Sequence, residues 1–176
     1  MTRPQLFSTN CATAYKCFIL LWGFIIFSVS EVSAIKPDVA LDTIVKGTVV
    51  GITDGDTFTL LKKDSTTIKV RLASIDCPER KQAYSARAKE FVSDAIFGKE
   101  VEVRIQSKDR YRRYIAMVYY GRKCLNEELL KNGYAWHYKK YSKDARLQSM
   151  EDKARKLRRG LWADTHPVAP WNWRER

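Results

Sequence analysis

Histidine is nearly absent from this chain: His137 and His166 are the only two in 176 residues. A mechanism built on a histidine acid and a histidine base therefore has little to draw on, and both are read as bystanders. Cysteine is as scarce. The four are Cys11, Cys17, Cys77 and Cys124, and none of the spacings is that of a zinc site. Acidic residues are outnumbered, 20 against 32 lysines and arginines, for a formal charge of +12. That balance favours a polyanionic partner over an acidic one without saying which polyanion. Long apolar runs are also missing, because the longest, residues 17–30, falls short of the ~20 residues a spanning helix needs. There is no internal repeat, and the length suits one modest domain.

What is present at the N-terminus is a targeting pattern. Residues 1–16 carry positive charge and no acid, residues 17–30 are apolar, and Val32-Ser33-Ala34 supplies small residues for a signal peptidase. Cleavage is expected after Ala34, giving an exported chain, periplasmic or secreted, with no membrane span once the signal is removed. Loss of Arg3, Lys16 and Glu31 leaves 30 basic and 19 acidic residues, so the charge of +11 belongs to the domain. Only Cys77 and Cys124 remain. An oxidising compartment would permit a bridge between them, and the sequence leaves bridged and free forms open. No charged amphipathic helix exceeds what a core requires, which argues against a membrane-surface protein.

After a short leader, 35–44, strand patterns run from Val45 through Ile52 and from Thr57 to Leu61, separated by Asp54-Gly55-Asp56. Residues 67–75 alternate cleanly, with Ile68, Val70 and Leu72 on one face, so Arg71 should point away from the apolar side. A helix is expected over 85–97, with Ser85 as its cap and Gly98 as its stop. Strands follow over 101–106 and 114–120, joined by a turn at 109–113. A helix over 125–132 stops at Gly133. A last helix over 144–159 should bury Leu147, Met150, Ala154 and Leu157. The tail from Leu161 is rich in tryptophan, broken by proline and aperiodic. Five strands with three helices predict an α+β fold, a five-stranded OB-type β-barrel with three packed α-helices. The expected division is signal peptide 1–34, leader 35–44, catalytic domain 45–162 and tail 163–176.

Two stretches carry chemistry. Asp54-Gly55-Asp56-Thr57 sets two carboxylates in a turn between strands, and Arg71 is followed by Asp76-Cys77-Pro78-Glu79. Hydrolysis of a phosphodiester needs an attacking water, a group to deprotonate it, and positive charge for the developing phosphoryl anion. Carboxylates and a backbone carbonyl are hard ligands suited to Ca²⁺ or Mg²⁺. Pro78 biases Cys77 toward extended geometry and so helps aim its carbonyl. Arginine supplies planar recognition of phosphate oxygens. Tyr138 and Tyr141, beside Lys139 and Lys140, have the composition of a base-stacking surface, although packing explains them equally well.

Taken in order, Asp54-Gly55-Asp56-Thr57, Arg71-Leu72, Ile75-Asp76-Cys77-Pro78-Glu79, Asp109-Arg110-Tyr111-Arg112-Arg113 with Ala116, Asn126-Glu127 and Gly160-Leu161-Trp162 resemble the staphylococcal nuclease (thermonuclease) family. The resemblance covers about residues 45–162. It implies a calcium-dependent nuclease acting on DNA and RNA and leaving 3′-phosphate ends, with one ion per site. It further implies that Asp56, Asp76 and the Cys77 carbonyl hold the metal with Asp54 nearby, that Glu79 is the general base, and that Arg71 and Arg113 bind the scissile phosphate. Arg110, Tyr138 and Tyr141 are further candidate substrate contacts. No stable protein partner is implied, and a monomer is expected. Two positions depart from the pattern: Cys77 stands where threonine is frequent, and Arg112 where a glycine commonly precedes the arginine. The alternative function is a non-catalytic OB-type nucleic-acid-binding module, which should have lost carboxylates or arginines, and none is missing.

Overall fold

The computed structural model describes residues 43–175, so the expected signal peptide, its cleavage point and all but the end of the leader lie outside the described residues. Five strands form the barrel: β1 (Ile44–Ile52), β2 (Thr57–Lys62), β3 (Thr67–Leu72), β5 (Glu100–Lys108) and β6 (Tyr114–Tyr120), with the short β4 (Ile75–Asp76) between β3 and β5. Neighbours run in the order β3-β2-β1-β5-β6, with the short β7 (Lys123–Cys124) beyond β6, all antiparallel, and a parallel pairing of β3 with β6 closes the ring. The period of two expected from the sequence decides what faces inward. Val70 and Leu72 are buried while Arg71 between them is turned outward, and Val101, Val103 and Ile105 alternate with polar neighbours.

Helices cover the remaining apolar surface. α1 (Ser85–Ile96) buries Ala88, Val92 and Ile96, and α2 (Leu125–Lys131) buries Leu125, Leu129 and Leu130. α3 (Ala145–Lys156) adds Leu147 to the same core. Burying a side chain of Leu, Ile or Phe size is worth about 1.5–3 kcal/mol, so this shared core dominates the stability of the fold. Among the described residues no helix is long and apolar enough to cross a membrane.

Three local expectations are corrected, and the cysteine alternative left open is decided. The strand over 67–75 breaks after Leu72. Ser74 adopts a left-handed φ of 64°, and Ile75–Asp76 leave the barrel to pair antiparallel with β8 (Trp136–His137). The break is held by Asn126, which is fully buried: its Nδ2 donates to the carbonyls of Ala73 (2.9 Å) and Ala116 (3.2 Å), and its Oδ1 accepts from the Val118 amide at 3.1 Å. Ser85 does not cap α1; that position belongs to Tyr84, at φ 66°, which makes no side-chain cap bond. Leu157 is exposed, and Glu151 takes the buried face of α3, accepting from the His137 amide at 2.6 Å and from Arg155 Nε at 2.8 Å. Cys77 and Cys124 are both buried and free, so no bridge joins them.

His137 is bound into the fold through both ring nitrogens. Its ring nitrogens meet Gln148 Oε1 at 2.9 Å and Ser142 Oγ at 3.0 Å. The ring thus ties β8 to Gln148 of α3 and to Ser142, and in the β4–β8 pairing His137 stands opposite Ile75 and Trp136 opposite Asp76.

Candidate active site

The site lies where β3 gives way to β4. The turn after β1 is drawn tight by Asp54, whose Oδ1 accepts from the Asp56 amide at 3.0 Å. Gly55 at its apex has no room for a side chain, because a Cβ there would lie 2.8 Å from that of Ala88 and 2.9 Å from that of Cys77. That close approach seats the turn between α1 and the β4 segment. Asp56 is thereby carried onto the Cys77 amide, which donates to its Oδ2 at 3.2 Å. The Cys77 thiol donates to the Gly55 carbonyl at 3.2 Å, and burial pushes its pKa well up, so it is a packing group and not a nucleophile.

Arg71 is the centre of the cluster. Its outward projection from β3, required by the alternation, brings one guanidinium nitrogen against Asp56 Oδ1 and the other against Asp76 Oδ1 at 2.8 Å. Asp56 and Asp76 are both buried. Burial works against the charge of Arg71, and the two aspartates more than offset it, so the guanidinium is held firmly protonated. Burial raises the pKa of Asp76, an effect opposed by its bond from Arg174 and reinforced by the Asp56 charge. Asp54 is pushed up to about 6, first by burial and then by the neighbouring Asp56. Carboxylate is therefore in excess at this end of the barrel.

The remaining candidates divide. Glu79 is joined to Asp76 through Arg174, whose Nη1 meets Glu79 Oε1 and whose Nη2 lies 2.8 Å from Asp76 Oδ2. Arg113 is paired elsewhere: its Nε and Nη2 each lie 2.8 Å from Asp109 Oδ2. Asp109 Oδ1 also accepts from the amides of Tyr111 and Arg113, both at 2.9 Å, so one carboxylate both shapes the turn and holds the guanidinium. The register Arg71↔Ile115 puts Arg113, two residues before Ile115, on the same outward face as Arg71. Arg112 is exposed at φ 64° within the turn expected over 109–113, which accounts for the glycine common at that position. Arg110 is exposed and bonded to the Tyr111 hydroxyl at 2.7 Å. Tyr138 is half-buried, anchored by its amide to the Ser74 carbonyl at 2.9 Å, and Tyr141 is exposed with its ring edge-on to Tyr138 at 4.9 Å.

Residues 69–164 match the profile of the family described as "Staphylococcal nuclease homologue". The chain belongs to the staphylococcal nuclease family. An "Uncharacterized endonuclease" of Haemophilus influenzae is 45% identical over 126 residues, covering 72% of this chain and 71% of its own length. A "Micrococcal nuclease" of Shigella flexneri is 39% identical over 140 residues, 73% of this chain and 80% of that protein. An "Uncharacterized endonuclease" of Escherichia coli is 36% identical over 133 residues, 75% and 86% of the two chains.

The staphylococcal nuclease match begins inside β3, so it takes in Arg71, Asp76, Cys77, Glu79 and Arg113 while Asp54, Asp56 and Arg174 fall outside it. Whether a divalent ion suits this donor set is answered by its chemistry. Asp56 and Asp76 supply hard oxygens in one place with the Cys77 peptide beside them; Arg71 bridges these two carboxylates, Arg174 joins Asp76 to Glu79, and Asp54 accepts from the Asp56 amide. Among the described residues no three acidic, histidine or cysteine groups are gathered closely enough to hold an ion as they stand; the carboxylates turn to guanidinium groups instead. The donors therefore fit in kind, with arginine in contact with them.

Arg174 and Gln82 were missed by sequence reasoning. Gln82 links the Glu79 amide (2.9 Å to its Oε1) to the Val168 carbonyl (2.6 Å from its Nε2). A pointer did exist in the tail: Pro170 begins the one-turn α4 (Pro170–Trp173), and Trp171 and Trp173 are bulky apolar residues that need somewhere to pack.

Proposed function

We propose that this nuclease of staphylococcal type is exported and calcium-dependent, cleaves both DNA and RNA to leave 3′-phosphate ends, and works as a monomer with one ion per site. The observation that carries the reading is Arg71 caught between two buried aspartates, with Glu79 one carboxylate further out. Bound there, Ca²⁺ would supply charge neutralisation and substrate orientation, held by Asp56, Asp76 and the Cys77 carbonyl with Asp54 behind them.

The chain's own groups do the rest. Glu79 takes the proton of the attacking water as the new oxygen–phosphorus bond forms, and the bond from phosphorus to the 5′-oxygen breaks, that oxygen taking up a proton from solvent to leave as the hydroxyl. Arg71 offers donors whose bonds strengthen as the phosphoryl oxygens gain charge. Arg113, on the same outward face, exchanges Asp109 for the phosphate. A net charge of +11 on the exported chain, 30 basic against 19 acidic residues, draws the polyanion in. Tyr138 and Tyr141 with Arg110 would contact the strand on either side of the cut.

The test is incubation of the mature protein with single-stranded DNA and with RNA, in calcium or in chelator. Cleavage of both only with calcium is expected, and Glu79→Gln should lower turnover far more than calcium affinity. Equal cleavage in chelator sinks the metal assignment, and full turnover of Glu79→Gln sinks the base. Export is tested by intact mass of exported protein, which should begin at Ile35.

A further inference from the structure

The segment that follows the 3₁₀ turn Gly160–Ala163 returns across the candidate site and is tied down at three points. Gln82 holds it by the Val168 carbonyl, with the same side chain that holds the Glu79 amide. Trp171 lies flat on Tyr138, the rings 4° from parallel with centroids 5.3 Å apart, and meets Trp136 edge-on at 5.6 Å. Arg174 ends the run. Its Nη2 is 2.8 Å from Asp76 Oδ2, its Nη1 is 3.4 Å from Asp76 Oδ1, and Nη1 also meets Glu79 Oε1.

We propose that the segment Val168–Arg174 is an internal strap whose Arg174 guanidinium occupies the cation position of the active site, so that a divalent ion must displace it before the site is competent. The inference rests on the reading of Asp76 as a metal ligand and Glu79 as the base.

Three physical points carry it. Asp76 Oδ2 accepts from the guanidinium at 2.8 Å, so Arg174 stands in the space beside the carboxylates that calcium, with oxygens at about 2.3–2.6 Å, would have to fill. Arginine has no means of yielding by losing its proton, so it yields by moving. Of the two arginines in the cluster, Arg174 is the one built to move. Its side chain is 39% exposed and follows a helix of a single turn, whereas Arg71 is 15% exposed and rides on a barrel strand. The stacking of Trp171 extends the same logic to substrate, because it covers a face of Tyr138 that a base would need.

The strap is tested by calcium titration calorimetry on the full mature chain, its Arg174→Gln variant and its Trp171→Ala variant. A strap docked about nine-tenths of the time raises the apparent Kd about tenfold, so Arg174→Gln should bind calcium about ten times more tightly than the unaltered protein. Trp171→Ala touches none of the carboxylates and should shift the affinity in the same direction by releasing the strap. In the unaltered protein calcium should also speed hydrogen exchange at the amides of Asn172, Trp173 and Arg174, which now bond to Ala169 and Pro170. Equal or weaker calcium binding by both variants overturns the strap while leaving the metal reading standing. Failure of all three proteins to bind calcium overturns the metal reading and the strap together.

Discussion

Arg71 and Arg113 are the two arginines assigned to the phosphate, and the fold treats them differently. Arg71 projects from a closed barrel strand, 15% exposed, wedged between Asp56 and Asp76, whose side chains are 7% and 1% exposed. Arg113 stands at the end of a turn, 27% exposed, with Asp109 as its carboxylate. The first charge is needed by the protein itself, because without it Asp56 would be buried with no counter-charge and Asp76 would have Arg174 alone. The second is held in a partly exposed pair, which costs less to open than a buried one. Asp109 is held by backbone as well as by side chain: burial works to raise its pKa, yet the bonds from the Arg113 amide and side chain outweigh that and hold it low.

The sharpest way to break the contrast is Arg71→Ala. Removing one partner of a buried ion pair costs about 3 kcal/mol or more, and losing the donor should cut turnover by at least about 10²-fold. Denaturant unfolding and steady-state rates should therefore fall together, and an unchanged unfolding midpoint would show that Arg71 is no part of the fold's charge balance. Arg113→Ala should separate the two quantities. A turnover loss on the order of 10²-fold is expected with a stability change below about 1 kcal/mol. Comparable destabilisation by both substitutions would erase the distinction drawn here.

Asp109→Ala sharpens the comparison by leaving Arg113 in place without its guide. Turnover should fall about tenfold, and the Asp109→Ala, Arg113→Ala double variant should be no slower than Arg113→Ala alone, the non-additivity expected when one residue acts through another. Additive losses would give Asp109 a separate role. The smallest effect belongs to Arg112→Gly. Relieving a left-handed backbone at φ 64° should stabilise the protein by about 0.5 kcal/mol without lowering turnover. A loss as large as that of Arg113→Ala would transfer the phosphate contact to Arg112.

Much of the barrel is legible in the chain because its determinants are local. Val70 and Leu72 alternate with Arg71, Ala88, Val92 and Ile96 recur at helical spacing, and Asp144 caps α3 by accepting from the Arg146 amide at 2.8 Å. The order of Asp54, Asp56, Arg71, Asp76 and Glu79 along the chain is likewise plain, and their convergence follows once β2 and β3 pair with Thr57 opposite Arg71. Alternation, however, reports only which side of a strand is apolar. It has no term for Asn126, which reaches 53 residues back to the Ala73 carbonyl and turns the end of a predicted strand into a separate β4. Nor does it have one for Glu151, a charged residue on a buried helix face whose partners are the backbone of His137 and the side chain of Arg155. Arg174 is the extreme case. It meets Asp76 across 98 residues, and nothing in an aperiodic tail marks that arginine from any other. Sequence settles the elements because backbone geometry and apolar spacing act over a few residues. Which charges finally meet is settled only when the closed barrel brings distant segments to one end, where a buried carboxylate takes whatever cation the packing delivers.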